Sequence, residues 1–173
     1  MTELDGAGAK VLRQIRWLIS LFIIGLVLSG VTAFPLEWEL GLLANWLDAD
    51  LAAPHGGLRW WIARVHQALT ETGRSHSFLA YGTDWLAFGH IVIAMFFIGP
   101  WLDPVRNAWV LKVGLAACAG VIPLALICGP IRGIPFYWRL VDCSFGVFGA
   151  IPLLYCLNLI GRLRRLTPEA IRG

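Results

Sequence analysis

In a chain this apolar, chemistry would be done by its ionisable side chains, and the most suggestive of them fall in two short stretches. His90 sits inside the run DWLAFGHIVIAMFF, six residues after Asp84. On a helix that offset carries it about 9 Å deeper, at 1.5 Å per residue. The second stretch is CGPIRGIPFYWRLVDC, residues 128–143, which holds Arg132, Tyr137, Arg139 and Asp142. Its two glycines and two prolines predict a compact turn. Arg139 and Asp142 have the i, i+3 spacing that lets them pair on one helix face.

If this turn packs against the start of the helix bearing Asp84, then Asp84, His90, Arg132, Tyr137, Arg139 and Asp142 converge in a polar pocket at the outer leaflet. Such a pocket would hold a lipid or a quinone-like molecule. Ionisable groups at membrane depth are costly, which makes them functional candidates. Each residue also has a structural reading. Asp84, beside Thr83, caps a helix and complements its positive end. His90 is satisfied by a backbone carbonyl or a hydroxyl, and the arginines and aspartates form a salt-bridge network that sets helix registry.

No cofactor is expected. A haem on His90 would need a second axial ligand, and no other apolar run contains a histidine; His55, His66 and His76 fall in one polar connection. Met95, on the same helix as His90, cannot reach the opposite haem face. Cys128 and Cys143 flank the turn and are candidates for a disulfide that closes it, whereas Cys118 and Cys156 lie in apolar runs and read as small hydrophobes. There is no CxxC, no zinc-ligand spacing, no phosphate-binding glycine loop and no Ser/His/Asp order to suggest other chemistry.

The elements that must position these residues follow from composition. Hydrophobic residues make up 58% of the 173 and charged residues 14%, against roughly 45–50% and about 25% in soluble proteins. Mean hydropathy is +0.70. A soluble enzyme, a disordered chain and a disulfide-rich module are excluded, and a net charge of +3 spread along the chain does not suit nucleic acid. Four stretches approach the roughly 20 apolar residues that cross a bilayer: 17–34, 84–102, 108–129 and 141–161. The expected fold is an all-α integral membrane protein, a four-helix bundle in one membrane domain. The first stretch, with Val31-Thr32-Ala33 near its end, also resembles a secretory signal, but the run is long for one.

Nine of the fourteen lysines and arginines fall on the side shared by both termini, so the termini are expected in the cytoplasm. Trp17, Trp101 and Trp109 then mark the inner interface, and Trp38, Tyr81, Trp85, Tyr137 and Trp138 the outer one. A basic tail, 162–173, follows the last span and would meet anionic headgroups. The first outer connection, 35–82, carries Leu36, Leu40, Leu43 and Leu47 at helical spacing, with Trp38, Leu42 and Trp46 beside them and Glu37, Glu39, Asn45 and Asp48 as the polar remainder. A turn-rich stretch, 48–57, separates this from a second amphipathic segment with Leu58, Trp61, Ile62, Val65 and Leu69 on one face and Gly73 as its C-cap. Both segments are expected at the outer interface, with Trp60 and Trp61 either anchoring them or forming a lid over the pocket. Pro123 and Pro152 should kink the third and fourth spans.

These features point to a small polytopic protein of a bacterial inner membrane. It reads as a non-catalytic structural or accessory subunit, or as a binder of lipid or a lipophilic ligand at the outer leaflet. The alternative is a membrane-embedded enzyme or redox carrier working through the His90, Asp84, Arg132, Arg139 and Asp142 cluster. Expected partners are membrane lipids, other membrane subunits or further copies of the chain, and not nucleic acid.

Overall fold

The structure is a computed structural model that describes residues 6–166. It is all helical, with no strand among those residues. Four helical stretches are long and apolar enough to cross a membrane: Gly6–Ala33, Ser77–Leu102, Ala108–Ile131 and Phe136–Leu166. Most of these exceed the apolar runs that announce them. The apolar run measures only the length that lipid can cover, whereas good helix formers such as Lys10, Arg13, Gln14 and Arg16 continue the backbone ladder past it. Arg162, Arg164 and Arg165 likewise lie within the last helix. The rest of the basic tail, including Arg172, lies outside the described residues.

The helices are α1 (Gly6–Ala33), α2 (Leu36–Trp46), α3 (Leu58–Ser75), α4 (Tyr81–Phe96), α5 (Ile98–Leu102), α6 (Ala108–Pro123), α7 (Gly129–Ile131) and α8 (Phe136–Leu166), with a 3₁₀ turn at Ser77–Ala80 and a π turn at Leu124–Cys128. Contacts divide them into two compact units, Leu26–Ile93 and the remainder.

In the larger unit the principal pair is α6 against α8. Close approach is made possible by small residues, because van der Waals packing and not water exclusion holds helices together in lipid. A Cβ on Gly146 would lie 2.5 Å from the Cys118 carbonyl oxygen, and one on Gly114 would lie 3.0 Å from Leu153 Cδ1. The pairs show that α6 and α8 run antiparallel. Leu153, Cys156, Leu159, Ile160 and Leu163 form the buried stripe of α8, and Val11, Ile15 and Ile19 that of α1. The Cys156 thiol donates to the Ile15 carbonyl at 3.9 Å, and the Phe22 and Phe97 rings stand 4.7 Å apart. Asp103 accepts from the Arg106 N–H at 2.9 Å, tying the tight turn between α5 and α6. After Pro123, which donates no N–H, the ladder widens into the π turn. At Pro152 α8 continues as one helix.

The smaller unit holds an antiparallel hairpin of α2 and α3. Gly41 faces His66, and Gly73 faces Glu37. Trp61 and Ile62 are buried at the start of α3, as is Ala44 on α2. Gly73 is not the C-cap that its position suggested. The helix continues to Ser75, and His76 ends it by donating its N–H to the Thr72 carbonyl at 2.7 Å. Glycine is used at residue 73 for room beside Glu37 rather than for a left-handed backbone. Between the helices, Arg59 donates to the Asp48 carbonyl, and Gly56 takes φ +84°, a conformation other residues resist. The same unit brings the end of α1 against α4, where a Cβ on Gly30 would lie 2.8 Å from the Ala87 carbonyl oxygen.

Candidate functional site

The residues expected to form a polar pocket divide between the units. Arg132, Tyr137, Arg139 and Asp142 belong to the larger one, and Asp84 and His90 to the smaller. The turn around Arg132 is compact, as its glycines and prolines require. Arg132 ends α7 by donating its N–H to the Cys128 and Gly129 carbonyls, and Gly133 follows at φ +69°. Arg139 does not make the expected pair with Asp142. Its stem lies across Gly129, closer than any Cβ there would permit, and its guanidinium carbon sits 5.1 Å from the centroid of the Phe136 ring. The cause is the tilt of helical side chains toward the N-terminus, which aims Arg139 back toward residue 136 and away from residue 142. The Arg139 Nε and the Tyr137 hydroxyl are both buried without a hydrogen-bond partner.

The disulfide considered between Cys128 and Cys143 is not formed, and all four cysteines are free thiols. Cys143 is carried seven residues along α8, roughly 10 Å from the start of that helix, and the turn is closed by Arg139 over Gly129 instead.

Asp84 is not an N-cap, because the 3₁₀ turn at Ser77–Ala80 runs directly into α4. It stands in the first turn of that helix, where a carboxylate complements the helix dipole. His90 donates from Nδ1 to the Leu86 carbonyl one turn back, at 2.8 Å. That bond fixes the neutral ring's tautomer and leaves Nε2 as an acceptor. Its Cβ would stand 3.1 Å from a Cβ on Gly30.

Trp60 and Trp61 act within the hairpin. Trp61 is buried beside Ile62. Trp60 packs its ring 4.0 Å from that of His55, with the Arg64 guanidinium 5.2 Å away on the ring face. This stack ties the 48–57 connection to α3.

The hairpin contains a site that the sequence reading did not single out. An open groove of about 540 Å³ runs along α2 to His66 on α3. Phe34, Trp38 and Leu42 supply an apolar edge, and Glu37, Asn45 and His66 supply polar groups. The imidazole reaches this position because residue 41 is glycine: a Cβ there would lie 3.1 Å from His66 Nε2. Glu37 likewise lies against Gly73, with Oε2 3.2 Å from where a Cβ would be. On the same face of α3 the Thr70 hydroxyl is buried without a partner. The volume is that of an ordinary small-molecule site, and the lining suits an amphiphile, whose polar head would exchange hydrogen bonds with Glu37, Asn45 and His66. The available signal was two glycines, Gly41 and Gly73, inside helical runs, where each costs about 1 kcal/mol against alanine and leaves room for a facing side chain. Among the described residues no group of three or more His, Cys, Asp or Glu is placed to hold a metal ion.

No protein family model matches the chain, and no curated protein and no solved structure matches it either.

Proposed function

We propose that this multi-pass protein is a non-catalytic binder of a lipid or lipophilic ligand, which it holds in the groove of the α2–α3 hairpin at the outer leaflet. The observation that carries the reading is the groove itself, with an apolar edge of Phe34, Trp38 and Leu42 facing Glu37, Asn45 and His66. The exposed Trp38, Leu42 and Trp46 on α2 support placing the hairpin in the outer interface, where indoles are favoured. The excess of Lys and Arg on the side of the termini supports a cytoplasmic location for both, in a membrane such as the bacterial inner membrane. Only 17% to 28% of each span's apolar window is buried, which leaves apolar sides for lipid, for a partner subunit or for a second copy.

Native mass spectrometry of the full chain, gently extracted from its own membrane, tests the reading. A stoichiometric extra mass that is lost in Trp38→Asp, a change at an exposed position, is the expected result. A bare chain, or a bound mass that Trp38→Asp does not reduce at all, would refute it; mass that remains after a partial loss belongs to a site outside the hairpin. The topology is tested separately, by cysteines introduced at Asp50 or Thr72. An impermeant maleimide applied from outside should label them above the wild-type background, and labelling only from the cytoplasm would reverse the orientation.

The second reading, an enzyme or redox carrier acting on a lipid or quinone-like substrate, draws on the buried, unpartnered Tyr137 hydroxyl and Arg139 Nε. Buried polar groups normally find partners, and a bound carbonyl or phosphate oxygen would satisfy Arg139. Loss of the extra mass in Arg139→Ala, with Trp38→Asp unaffected, would favour it.

A further inference from the structure

A second groove, of about 620 Å³, lies in the larger unit between the basic end of α1 and α5. Its walls are apolar, with Leu12, Trp17, Ile24 and the Trp101 ring, apart from Ser20 and two arginines, Arg13 and Arg16. Arg16 is half-buried. Its Nε donates to the Trp101 carbonyl at 3.2 Å, and its guanidinium carbon sits 5.1 Å from the centroid of the Trp101 ring. That ring is fixed in turn by its Nε1, which donates to the Ser20 hydroxyl at 3.0 Å. With Nε committed to the backbone, both terminal nitrogens of Arg16 remain to donate side by side, the fork geometry that matches phosphate oxygens. Arg13 is exposed and lies one turn away at i, i+3, so it shares this face.

We propose that this groove is a binding site for an anionic phospholipid, with the phosphate held between Arg13 and Arg16 and an acyl chain lying along Trp17 and Trp101 toward Ile24. Ile24 is eight residues beyond Arg16, roughly 12 Å along the helix axis, so the charged end and the apolar run lie in the order that a phospholipid presents. Charge complementarity selects the head. Among the described residues the groove lining contains two guanidinium groups and no carboxylate, so none of them offers a counter-charge to the ammonium of a zwitterionic lipid. The site is separate from the hairpin groove and does not depend on what that groove binds.

The test is titration of the detergent-solubilised full chain with dioleoyl phosphatidylglycerol or dioleoyl phosphatidylcholine, bound lipid being counted by native mass spectrometry. Phosphatidylglycerol should bind about tenfold more tightly than phosphatidylcholine, because the second guanidinium meets a net negative head without opposition. Arg13→Gln, at an exposed position with no intramolecular bond to lose, should remove most of that preference without changing the melting temperature. Arg16→Lys keeps the charge but loses the fork, and should also weaken phosphatidylglycerol several-fold. Equal binding of the two lipids by the wild type would overturn the proposal. So would a preference that survives both substitutions in folded protein. Displacement of phosphatidylglycerol by an equal concentration of inorganic phosphate would show a site for a free anion and would overturn it as well.

Discussion

Replacing Gly146 by alanine should destabilise the α6–α8 pair, although alanine is the better helix former. The added Cβ would lie 2.5 Å from the Cys118 carbonyl oxygen. Comfortable contact between such atoms is about 3.5 Å, and the obstacle is backbone, which cannot rotate away. The helices must therefore part by about 1 Å at this level, a gap that forfeits a quarter to a half of the dispersion energy of each contact it opens. Overpacking of this kind costs about 1–3 kcal/mol. The intrinsic advantage of alanine over glycine returns about 1 kcal/mol, leaving a net loss of up to roughly 2 kcal/mol. Gly120→Ala is the control on α6, because a Cβ there meets nothing within 4 Å and only the propensity gain should remain. Thermal unfolding in one detergent, followed by tryptophan fluorescence, should rank the proteins Gly120→Ala, wild type, Gly146→Ala in falling order of midpoint. A Gly146→Ala midpoint at or above that of Gly120→Ala would refute the close packing of α6 on α8.

Three further outcomes are expected. Ile62→Ala, at a position only 1% exposed, should cost about 2 kcal/mol or more, and limited proteolysis should then cut the 48–57 connection markedly faster than in the wild type. Asp103→Ala removes the carboxylate that accepts from the Arg106 N–H and should cost about 1 kcal/mol in a denaturant titration, by analogy with the loss of a helix cap; an unchanged midpoint would show that the turn does not need it. The denatured protein should take up the same alkylation mass with and without reductant, because all four cysteines are free thiols, and a reductant-dependent difference would reinstate the bridge between Cys128 and Cys143.

The four apolar spans were legible in the sequence because hydrophobic length is read directly by the bilayer. The places where α2 and α3 form were legible because apolar residues recur at helical spacing in both, leucines in α2 and Leu58, Trp61, Ile62, Val65 and Leu69 in α3. Contacts chosen among competing partners were not. Arg139 had Asp142 at a permissible spacing, yet the backward tilt of helical side chains and the room over Gly129 turned it toward Phe136. Asp84 looked like a cap because the apolar run begins beside it, but the helical backbone begins earlier, at Tyr81. Gly73 looked like a terminator because glycine most often ends helices at that kind of position. Nothing in the local sequence reveals that Glu37, far away in the chain, needs the space.

Gly73 is one instance of a wider arrangement. Glu37 lies at Gly73, His66 at Gly41, His90 at Gly30 and Arg139 at Gly129. An ionisable side chain in an apolar helical setting must either reach water or lie against backbone polar groups, and a Cβ on the facing helix would exclude it from the second choice. His90 shows what the choice gains, since its Nδ1 is satisfied by a carbonyl of its own helix while its Cβ stands beside Gly30. Glycines in this chain are therefore informative through what they face more than through the backbone they permit. The hairpin groove follows from that logic: Gly41 admits the His66 imidazole and Gly73 admits the Glu37 carboxylate, so two glycines on opposite helices bring polar groups, with Asn45, opposite Phe34, Trp38 and Leu42. Alanine at residue 41 would press on His66 Nε2 and disturb the polar edge while leaving Phe34, Trp38 and Leu42 in place. A ligand held mainly by its apolar part would tolerate that change, and one held by its head would be released.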